Sequence, residues 1–455
     1  MTGQPETICA VATPAGRGGI SIIRLSGQKS LSAAEIILGF TPTPRHAHYC
    51  PFHNTLGDVL DTGIALYFPA PDSFTGEDVI EFQAHGGPYV MDMLLQELLS
   101  LDIRLADPGE FSQRAFLNDK IDLAQAEAIA DLIDSNSEEA ARFALRSLQG
   151  EFSALINDMV QSIIHLRMYV EAAIDFPEEE VDFLGTGEVE NKLSGIRNQL
   201  NDVLLKARQG TIMKDGLTVV IAGEPNAGKS SLLNVLAGQS RAIVTDIAGT
   251  TRDTLREHIS IDGMPLHIID TAGLHESEDE VEQEGIRRAW EAIREGDLVL
   301  LLIDSSNSFN VQTSSLYQEL IKEMDDPGNL FLVFNKIDLL DTKPGQTETI
   351  RPHQTFHISV KDQEGLDLLK EAMKKHAGLS TTVEGGFIAR RRHLDALNKA
   401  SDFLLAAASQ LENNKAGELV AEDLREAHMA LESITGQFTP DDLLGEIFTS
   451  FCIGK

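Results

Sequence analysis

The residues from Gly223 to Ser230 have the types and spacing of a phosphate-binding loop. They fit the pattern G-x-x-x-x-G-K-[ST] and lie between a strand-like run and a helix-like run. The glycines let backbone N–H groups close around phosphate oxygens, and the helix that follows adds a partial positive charge. We expect Lys229 to reach the β- and γ-phosphates and Ser230 to bind Mg²⁺. The loop therefore predicts a nucleoside triphosphate site.

Four short motifs follow this loop in the order expected of a domain that binds GTP. Asp270–Gly273 ends a strand, where a carboxylate faces Mg²⁺ through water and a backbone N–H senses the γ-phosphate. Thr250–Thr251 lies before it, where a threonine completes the Mg²⁺ shell when γ-phosphate is present. Asn335–Asp338 offers a carboxylate to the guanine N1–H and 2-amino groups, and backbone groups near Ser359 face guanine O6. The set favours GTP over ATP and resembles the Ras-like GTPases of the TRAFAC class.

The predicted nucleotide contacts include the neighbours of these motifs, and Ser230 and Thr251 are the predicted Mg²⁺ ligands. The predicted contacts are Asn226, Ala227, Gly228, Lys229, Ser230, Ser231, Thr245, Asp246, Ile247, Ala248, Gly249, Thr250, Thr251, Asp270, Thr271, Ala272, Gly273, Asn335, Lys336, Asp338, Ile358, Ser359 and Val360.

The residue that would orient the attacking water differs from many Ras-like proteins. Those proteins place a glutamine after the D-x-x-G motif, whereas this sequence has Leu274. The acidic stretch Glu276–Glu284 is a candidate source of a replacement, and its alternative interpretation is a solvated loop. No cis arginine finger is evident, although Arg252 lies in the first switch. Asn226 could offer its side-chain oxygen to a monovalent cation that neutralises charge between the β- and γ-phosphates.

The motifs require an α/β domain that brings strand ends to one edge of a sheet. Short apolar runs alternate with helical segments over residues 217–377, which predicts a mostly parallel sheet with helices on both faces. The predicted strands are Leu217–Ala222, Leu266–Ile269, Leu298–Ile303, Leu330–Phe334 and Thr355–Ile358.

The flanking sequence predicts an α/β domain followed by helices. Residues 1–118 read as mixed α/β, and residues 119–216 and 378–455 read as helical. The simplest arrangement is a helical domain interrupted by the inserted α/β domain. Glu138–Phe176 contains no proline and one glycine, which predicts a single helix of up to about 58 Å. The predicted N-terminal strands are Thr7–Thr13, Ile20–Leu25, Thr62–Phe68 and Asp78–Ala84, and the other predicted helices are Pro88–Leu101, Leu123–Ile133 and Glu188–Arg208.

The composition indicates a cytoplasmic protein without a membrane span. Of the 455 residues, 42% are hydrophobic, and no apolar run approaches the roughly 18 residues that a span needs. The three cysteines form no C-x-x-C pair, which fits a reducing compartment and argues against a structural zinc site. A net charge of −34 repels nucleic acid as a whole. Arg390–His393 is the dense basic cluster, and a solvated helix start is favoured there over an RNA contact.

Several motifs along the chain make the resemblance specific. Pro14–Gly19, Ser73–Asp78, Phe116–Lys120, Asp246–Asp253 and Phe451–Lys455 resemble the MnmE (TrmE) family of tRNA-modification GTPases over essentially the whole chain. The resemblance implies an N-terminal tetrahydrofolate-binding and dimerisation domain, a discontinuous helical domain and an inserted Ras-like P-loop domain. It also implies a homodimer.

The resemblance further implies a shared modification reaction with a partner. With MnmG, which carries FAD, the family forms a heterotetramer that adds an aminomethyl or carboxymethylaminomethyl group to C5 of the wobble uridine of certain tRNAs. The one-carbon unit comes from a tetrahydrofolate derivative (5-formyl- or methylene-tetrahydrofolate). K⁺ activates GTP hydrolysis by pairing the two G domains.

The family's functional residues fall on matching positions of this sequence. Glu282 matches a glutamate that positions the attacking water, and Cys452 falls near the one-carbon site. The implied K⁺ ligands are Asn226, Thr245, Ile247 and Thr250, and the implied folate contacts are Arg24, Glu81, Lys120 and the C-terminal Lys455.

The residues alone leave alternatives open. Without the resemblance, an internal ion pair or surface charges would explain Arg24 and Glu81 as well as a binding pocket does. Lys120 would be a surface lysine, and Cys452 a partly buried small residue. A ribosome-assembly switch GTPase of the Era or Der type is the alternative function. A folate-dependent methyltransferase with a regulatory G domain is a third.

Overall fold

A computed structural model provides the structure of the protein. It describes residues 6–135, 137–175, 187–239, 256–261, 264–270, 280–306, 314–324, 326–340, 343–347, 353–378, 386–413, 417–436, 441–449, 451 and 454. The chain forms two compact units, one from residues 1–130, 147–197 and 399–455, and one from residues 131–146 and 198–398.

The described residues contain strands and helices in the following order. The strands are β1 (Ile8–Val11), β2 (Gly18–Ser26), β3 (His48–His53), β4 (Val59–Phe68), β5 (Val79–Gly86), β6 (Arg104–Leu105), β7 (Leu217–Gly223), β8 (Arg256–Ile261), β9 (Met264–Asp270), β10 (Leu298–Asp304), β11 (Leu330–Asn335), β12 (Gly345–Thr347) and β13 (Gln354–His357). The helices are α1 (Ser30–Leu38), α2 (Pro88–Ser100), α3 (Glu110–Leu117), α4 (Leu123–Ile133), α5 (Glu138–Leu148), α6 (Glu151–Asp175), α7 (Glu188–Asp215), α8 (Lys229–Gln239), α9 (Glu280–Glu295), α10 (Ser315–Glu323), α11 (Leu366–His376), α12 (Arg391–Asn413), α13 (Gly417–Thr435) and α14 (Asp441–Thr449).

The first unit contains a six-stranded sheet in the order β3-β4-β5-β2-β1-β6. Its neighbours are antiparallel except for the short β1–β6 pair. One face packs against α1 and α2, and this core includes Ile23, Phe82, Ile37 and Leu94, all fully buried. The N-terminal region is therefore mixed α/β, as the sequence predicted, but α1 and β3 had not been predicted.

The prediction of one helix over Glu138–Phe176 is wrong, because α5 ends at Leu148 and α6 begins at Glu151. Gly150 between them has φ +86°, the left-handed conformation that ends a helix and favours glycine. The carbonyl of Leu148, near the end of α5, accepts a hydrogen bond from Gln125 Nε2 at 3.0 Å. The two helices therefore separate at the single glycine of the run.

The second unit contains a seven-stranded sheet in the order β12-β13-β11-β10-β7-β9-β8. The five central strands are parallel, and the edge strands β8 and β12 are antiparallel to their neighbours. Along β7, Val219 and Ile221 point into a core with α8 and α11, whereas Val220 and Ala222 point into a core with α9 and α10. This arrangement confirms the predicted mostly parallel sheet with helices on both faces.

No helix within the described ranges combines the length and apolarity needed to cross a membrane.

Candidate functional site

The phosphate-binding loop joins the carboxyl end of β7 to the first residue of α8. Gly223, at the end of β7, has φ +151°, and a Cβ there would lie 2.3 Å from the carbonyl oxygen of Leu302 on β10. Gly228 has φ +103°, and its Cβ would lie 2.4 Å from Asn335 Nδ2. Both positions therefore require glycine, for close packing as well as for backbone conformation. Lys229 Nζ donates to the carbonyls of Gly223 and Glu224 at 2.8 and 3.0 Å, so its charge lies over the loop.

Asn335 ties this loop to the loop that carries the last predicted motif. Its side-chain Nδ2 donates to the carbonyl of Ala227 at 2.9 Å, and its Oδ1 accepts from the Val360 N–H at 3.1 Å. Asn335 is 3% exposed, so both bonds are shielded from water. The predicted contact residue thus acts as a bridge that fixes the phosphate loop relative to residues 358–360.

The predicted guanine-binding carboxylate lies beside the loop at Ser359 whose backbone is predicted to contact guanine O6. Asp338 is the second residue of a short 3₁₀ helix, Ile337–Leu339, and its Oδ1 accepts a hydrogen bond from Ser359 Oγ at 2.9 Å. Ser359 Oγ also accepts from the Asp362 N–H at 3.1 Å. The Asp338 side chain is 11% exposed, and Lys361 Nζ lies 3.8 Å from its Oδ2. The structure therefore brings Asp338, Ser359 and the backbone of Val360 together.

Asp304 belongs to this site and was not predicted. It ends β10, and its Oδ2 lies 2.6 Å from Lys336 Nζ. Burial alone would raise the pKa of the Asp304 carboxyl, but hydrogen bonds from Lys336 and Ser306 outweigh burial and hold that pKa below its usual value. An acidic residue at the carboxyl end of a strand was visible in the sequence and would have been the signal.

The switch region is described only in part. Asp270 ends β9 and pairs with Ile221 of β7 in the sheet register, so the predicted motif begins beside the phosphate-loop strand. Glu282 lies within α9, and its side chain is outside the described part of the structure. The predicted site residues that lie outside the described residues are Thr245, Asp246, Ile247, Ala248, Gly249, Thr250, Thr251, Arg252, Thr271, Ala272, Gly273, Cys452 and Lys455.

Arg24 and Glu81 form a cross-strand ion pair in the first unit. They are directly paired residues of β2 and β5, and Arg24 Nε and Nη2 contact Glu81 Oε1 at 2.9 and 2.8 Å. The Arg24 guanidinium also lies 5.7 and 5.8 Å from the ring centres of Phe74 and Phe111. The ion pair that the residues alone allowed is therefore present. The two aromatic neighbours had not been predicted, although Phe74 lies within one of the motifs that carried the resemblance.

Two of the remaining motifs also contact other parts of the first unit. A Cβ at Gly76 would lie 3.0 Å from Asn118 Cβ and 3.4 Å from side-chain carbons of Lys120, and Asn118 Nδ2 donates to the Thr75 carbonyl at 2.7 Å. Lys120 itself is exposed. Gly454, the neighbour of Lys455, packs against the Val11 carbonyl at the end of β1. Segments 73–78 and 116–120 therefore contact each other, and the first of them also reaches Arg24 through Phe74.

The expectation of a solvated helix start at Arg390–His393 is wrong for two of its residues. Arg390 forms an ion pair with the buried Asp131, with 2.7 Å between Nη2 and Oδ1. His393 is 2% exposed, and its Nδ1 accepts from the Arg390 N–H at 3.0 Å. The sequence could not reveal this, because Asp131 lies 259 residues away.

Comparisons with known proteins match the whole chain. The family model "GTP-binding protein TrmE N-terminus" matches residues 7–120, and "MnmE helical domain" matches residues 123–452. The chain is 59% identical to the tRNA modification GTPase MnmE of Marinomonas sp. (strain MWYL1) over 451 residues, 99% of this chain and 98% of the relative. It is 58% identical to the protein of the same name from Saccharophagus degradans over 456 residues, which covers all of both chains.

Among the described residues, no group of three or more His, Cys, Asp or Glu side chains is arranged to hold a metal ion.

Proposed function

Since this chain belongs to the MnmE family of tRNA modification GTPases, we propose that it is a K⁺-activated GTPase that works with MnmG on tRNA. Together they add an aminomethyl or carboxymethylaminomethyl group to C5 of the wobble uridine, with a one-carbon unit from a tetrahydrofolate derivative. The alternative, a ribosome-assembly switch of the Era or Der type, is not favoured, because these relatives match the full length of the chain and are named tRNA modification GTPases.

The observation that carries the GTP site is the joining of its two ends through Asn335. One end is the loop of glycines and backbone N–H groups before α8, which suits phosphates. The other is the Asp338 carboxylate, which is oriented by Ser359 and suits the N–H groups of guanine. Asn335 bonds to Ala227 in the first and to Val360 in the second, which supports a constant spacing between the proposed phosphate and base positions.

Mg²⁺ and K⁺ would bind at the phosphate end. Ser230, the second residue of α8, and Thr251 would hold Mg²⁺, with Asp270 at the neighbouring strand end acting through water. Asn226 has φ +62° and is exposed in the loop, which suits a side chain that reaches out to a cation. Bound K⁺ would supply positive charge between the β- and γ-phosphates, completed by oxygens of Thr245, Ile247 and Thr250.

We assign water activation to Glu282, which matches the glutamate that positions the attacking water in the MnmE family. The residue after the D-x-x-G motif, Leu274, offers no hydrogen-bonding group for that task. Arg252 is the candidate cation of the first switch.

The Arg24–Glu81 pair would form the centre of the folate site. Both contacts from Arg24 use Glu81 Oε1, so Oε2 is positioned as an acceptor for the N–H groups of a pterin ring. Phe74 and Phe111 supply aromatic surface beside the guanidinium. Lys120 and Lys455 would add positive charge, and Cys452 would lie close to the one-carbon unit. We propose that the functional protein is a cytoplasmic homodimer, which forms a heterotetramer with MnmG.

The K⁺ role is tested by GTP hydrolysis in KCl and in NaCl at matched ionic strength. We expect K⁺ alone to accelerate hydrolysis by at least about tenfold, because an arginine finger that supplies the same charge contributes 10³–10⁵-fold. Asn226→Gly removes the side chain without straining the left-handed backbone, so it should remove the difference between the two salts and leave nucleotide binding intact.

The matched control is Asn201→Ala, which removes an exposed asparagine from α7 and should leave the K⁺ response unchanged. Equal rates in the two salts for the unaltered protein would exclude K⁺ activation while leaving GTP hydrolysis in place.

A further inference from the structure

The two chain connections of the proposed GTPase domain pass through one small region of the second unit. The chain enters the domain where α7 ends at Asp215 and continues through Gly216 into β7, whose other end is the phosphate loop. It leaves through residues 386–390, which lead into α12. Any movement of the domain relative to α7 must therefore act on this region.

The outgoing segment is held closely against α7 and α5. A Cβ at Gly210 of α7 would lie 1.9 Å from the Phe387 carbonyl oxygen, so the backbones are in direct contact. Thr211 Oγ1 donates to the Ala389 carbonyl at 2.8 Å. A Cβ at Gly386 would lie 2.3 Å from the Phe143 ring of α5. The incoming and outgoing segments are therefore packed as one piece.

A buried carboxylate joins the ends of both segments. Asp131 of α4 has a side chain only 4% exposed, and its Oδ1 lies 2.7 Å from Arg390 Nη2 and 3.1 Å from Lys214 Nζ. Lys214 precedes the incoming connection, and Arg390 ends the outgoing one. A single buried anion thus pairs with two cations, one from each connection, whose side chains are only partly exposed.

His267 connects this region to the strand that leads to the predicted switch. It lies three residues before Asp270 on β9, and its Nε2 is hydrogen-bonded to the carbonyl of Asp215 at the end of α7. The Gly216 backbone is so close that a Cβ there would lie 2.7 Å from His267 Nε2. Burial raises the pKa of the Asp215 carboxyl, which interacts electrostatically with Asp131, Arg390 and His267.

We infer that Asp131, Lys214 and Arg390 form a charge clamp, and that with His267 they are positioning residues for tRNA modification. They transmit the state of β9 to α4, α7 and the start of α12. The inference rests on the proposed function, since it requires hydrolysis and modification to be separate events at separate sites. The alternative is that these contacts contribute only to the stability of the fold.

The test measures GTP hydrolysis and tRNA modification in parallel, with full-length protein and MnmG. Asp131→Asn and His267→Phe should each leave the hydrolysis rate at saturating GTP within about twofold. Each should lower the modification rate about tenfold, within the 5–150-fold range of typical coupling between sites. The double variant should resemble either single variant, because both changes interrupt one connection.

A second pair of variants keeps the test informative if Asp131→Asn does not fold. Asp131→Leu with Arg390→Met replaces the buried ion pair by apolar side chains, an exchange that often preserves stability. This double variant should fold and hydrolyse GTP, but it should modify tRNA more slowly than the unaltered protein. Arg425→Gln, which removes an exposed arginine paired with Glu422 on α13, is the matched control and should change neither rate.

The outcomes separate the clamp from the proposed function. Absence of modification by the unaltered protein would contradict the proposed function itself. If the unaltered protein modifies tRNA normally, two results would overturn the clamp. Either the variants modify tRNA at the same rate as the unaltered protein, or they lose both activities in parallel with thermal stability. Additive effects of Asp131→Asn and His267→Phe would also overturn it.

Discussion

We propose that base selection depends on the carboxylate of Asp338. It is largely buried and accepts a hydrogen bond from Ser359 on one oxygen. A carboxylate only accepts, so it complements the adjacent N1–H and 2-amino donors of guanine. Adenine presents an unprotonated N1 and no 2-amino group, so the base would offer the carboxylate no donor. In this proposal, selection would arise from the cost of an unpaired polar group.

We expect Asp338→Asn to lower GTP affinity by at least about 100-fold, because sites built around a hydrogen bond reject ligands that lack it by large factors. The amide donates where the carboxylate accepted, so xanthosine triphosphate, which carries a carbonyl at C2, should bind better than GTP. Ser359 Oγ can still donate to the amide oxygen, so the loop should keep its geometry. Competition titrations with a fluorescent nucleotide measure both affinities.

The isosteric control for this change is Asp362→Asn. Asp362 is exposed, and its contact with Ser359 uses the backbone N–H rather than the side chain. Its side chain should therefore be replaceable without loss of GTP affinity. Equal affinity of the Asp338→Asn protein for GTP and xanthosine triphosphate would show that Asp338 does not read the base.

At the scale of elements, the separation of α5 from α6 depends on Gly150. Its φ of +86° is costly for any residue with a Cβ, by about 1–2 kcal/mol. A Cβ would also come within 3.2 Å of Gln125 Nε2, which holds the last turn of α5 through Leu148. The glycine therefore ends one helix and sets the start of the next.

Gly150→Ala should destabilise the protein by about 1–2 kcal/mol and lower its thermal midpoint by a few degrees. Gly195→Ala is the opposite control, because Gly195 lies inside α7 with open space around its Cβ position. Alanine there should stabilise by about 0.5–1 kcal/mol. Differential scanning calorimetry compares the two. A higher midpoint for Gly150→Ala would mean that α5 and α6 fuse into the single helix that the sequence predicted.

The elements that the sequence predicted correctly are those with strong local patterns. The buried strands β7, β10 and β11 are mostly apolar, and the phosphate loop has fixed spacing, so both were evident. The edge strands β8 and β12 are partly polar and were missed, since their pairing depends on the sheet rather than on their own residues. Asp131–Arg390 could not be foreseen, because only the fold brings residues 259 positions apart together.

At the scale of the whole molecule, charge opposes the proposed substrate. The chain has 71 acidic residues against 37 Lys and Arg, a net charge of −34, and tRNA is itself a polyanion. The dense basic cluster offers little compensation, since Arg390 is committed to Asp131 and His393 is buried. Long-range electrostatics therefore slow the encounter with tRNA, and productive contacts must be local or supplied by a partner.

This imbalance predicts an unusual salt dependence. Between about 10 mM and 150 mM salt the Debye length shrinks from about 30 Å to about 8 Å, which screens repulsion between whole molecules more than contacts at short range. The association rate of the protein alone with tRNA should therefore rise with salt, whereas typical nucleic-acid-binding proteins bind less well as salt increases. Stopped-flow fluorescence with labelled tRNA at fixed Mg²⁺ measures the rate. A steady fall with salt would instead reveal a basic surface strong enough to outweigh the net charge, and the exposed Arg391 would be the first residue to replace.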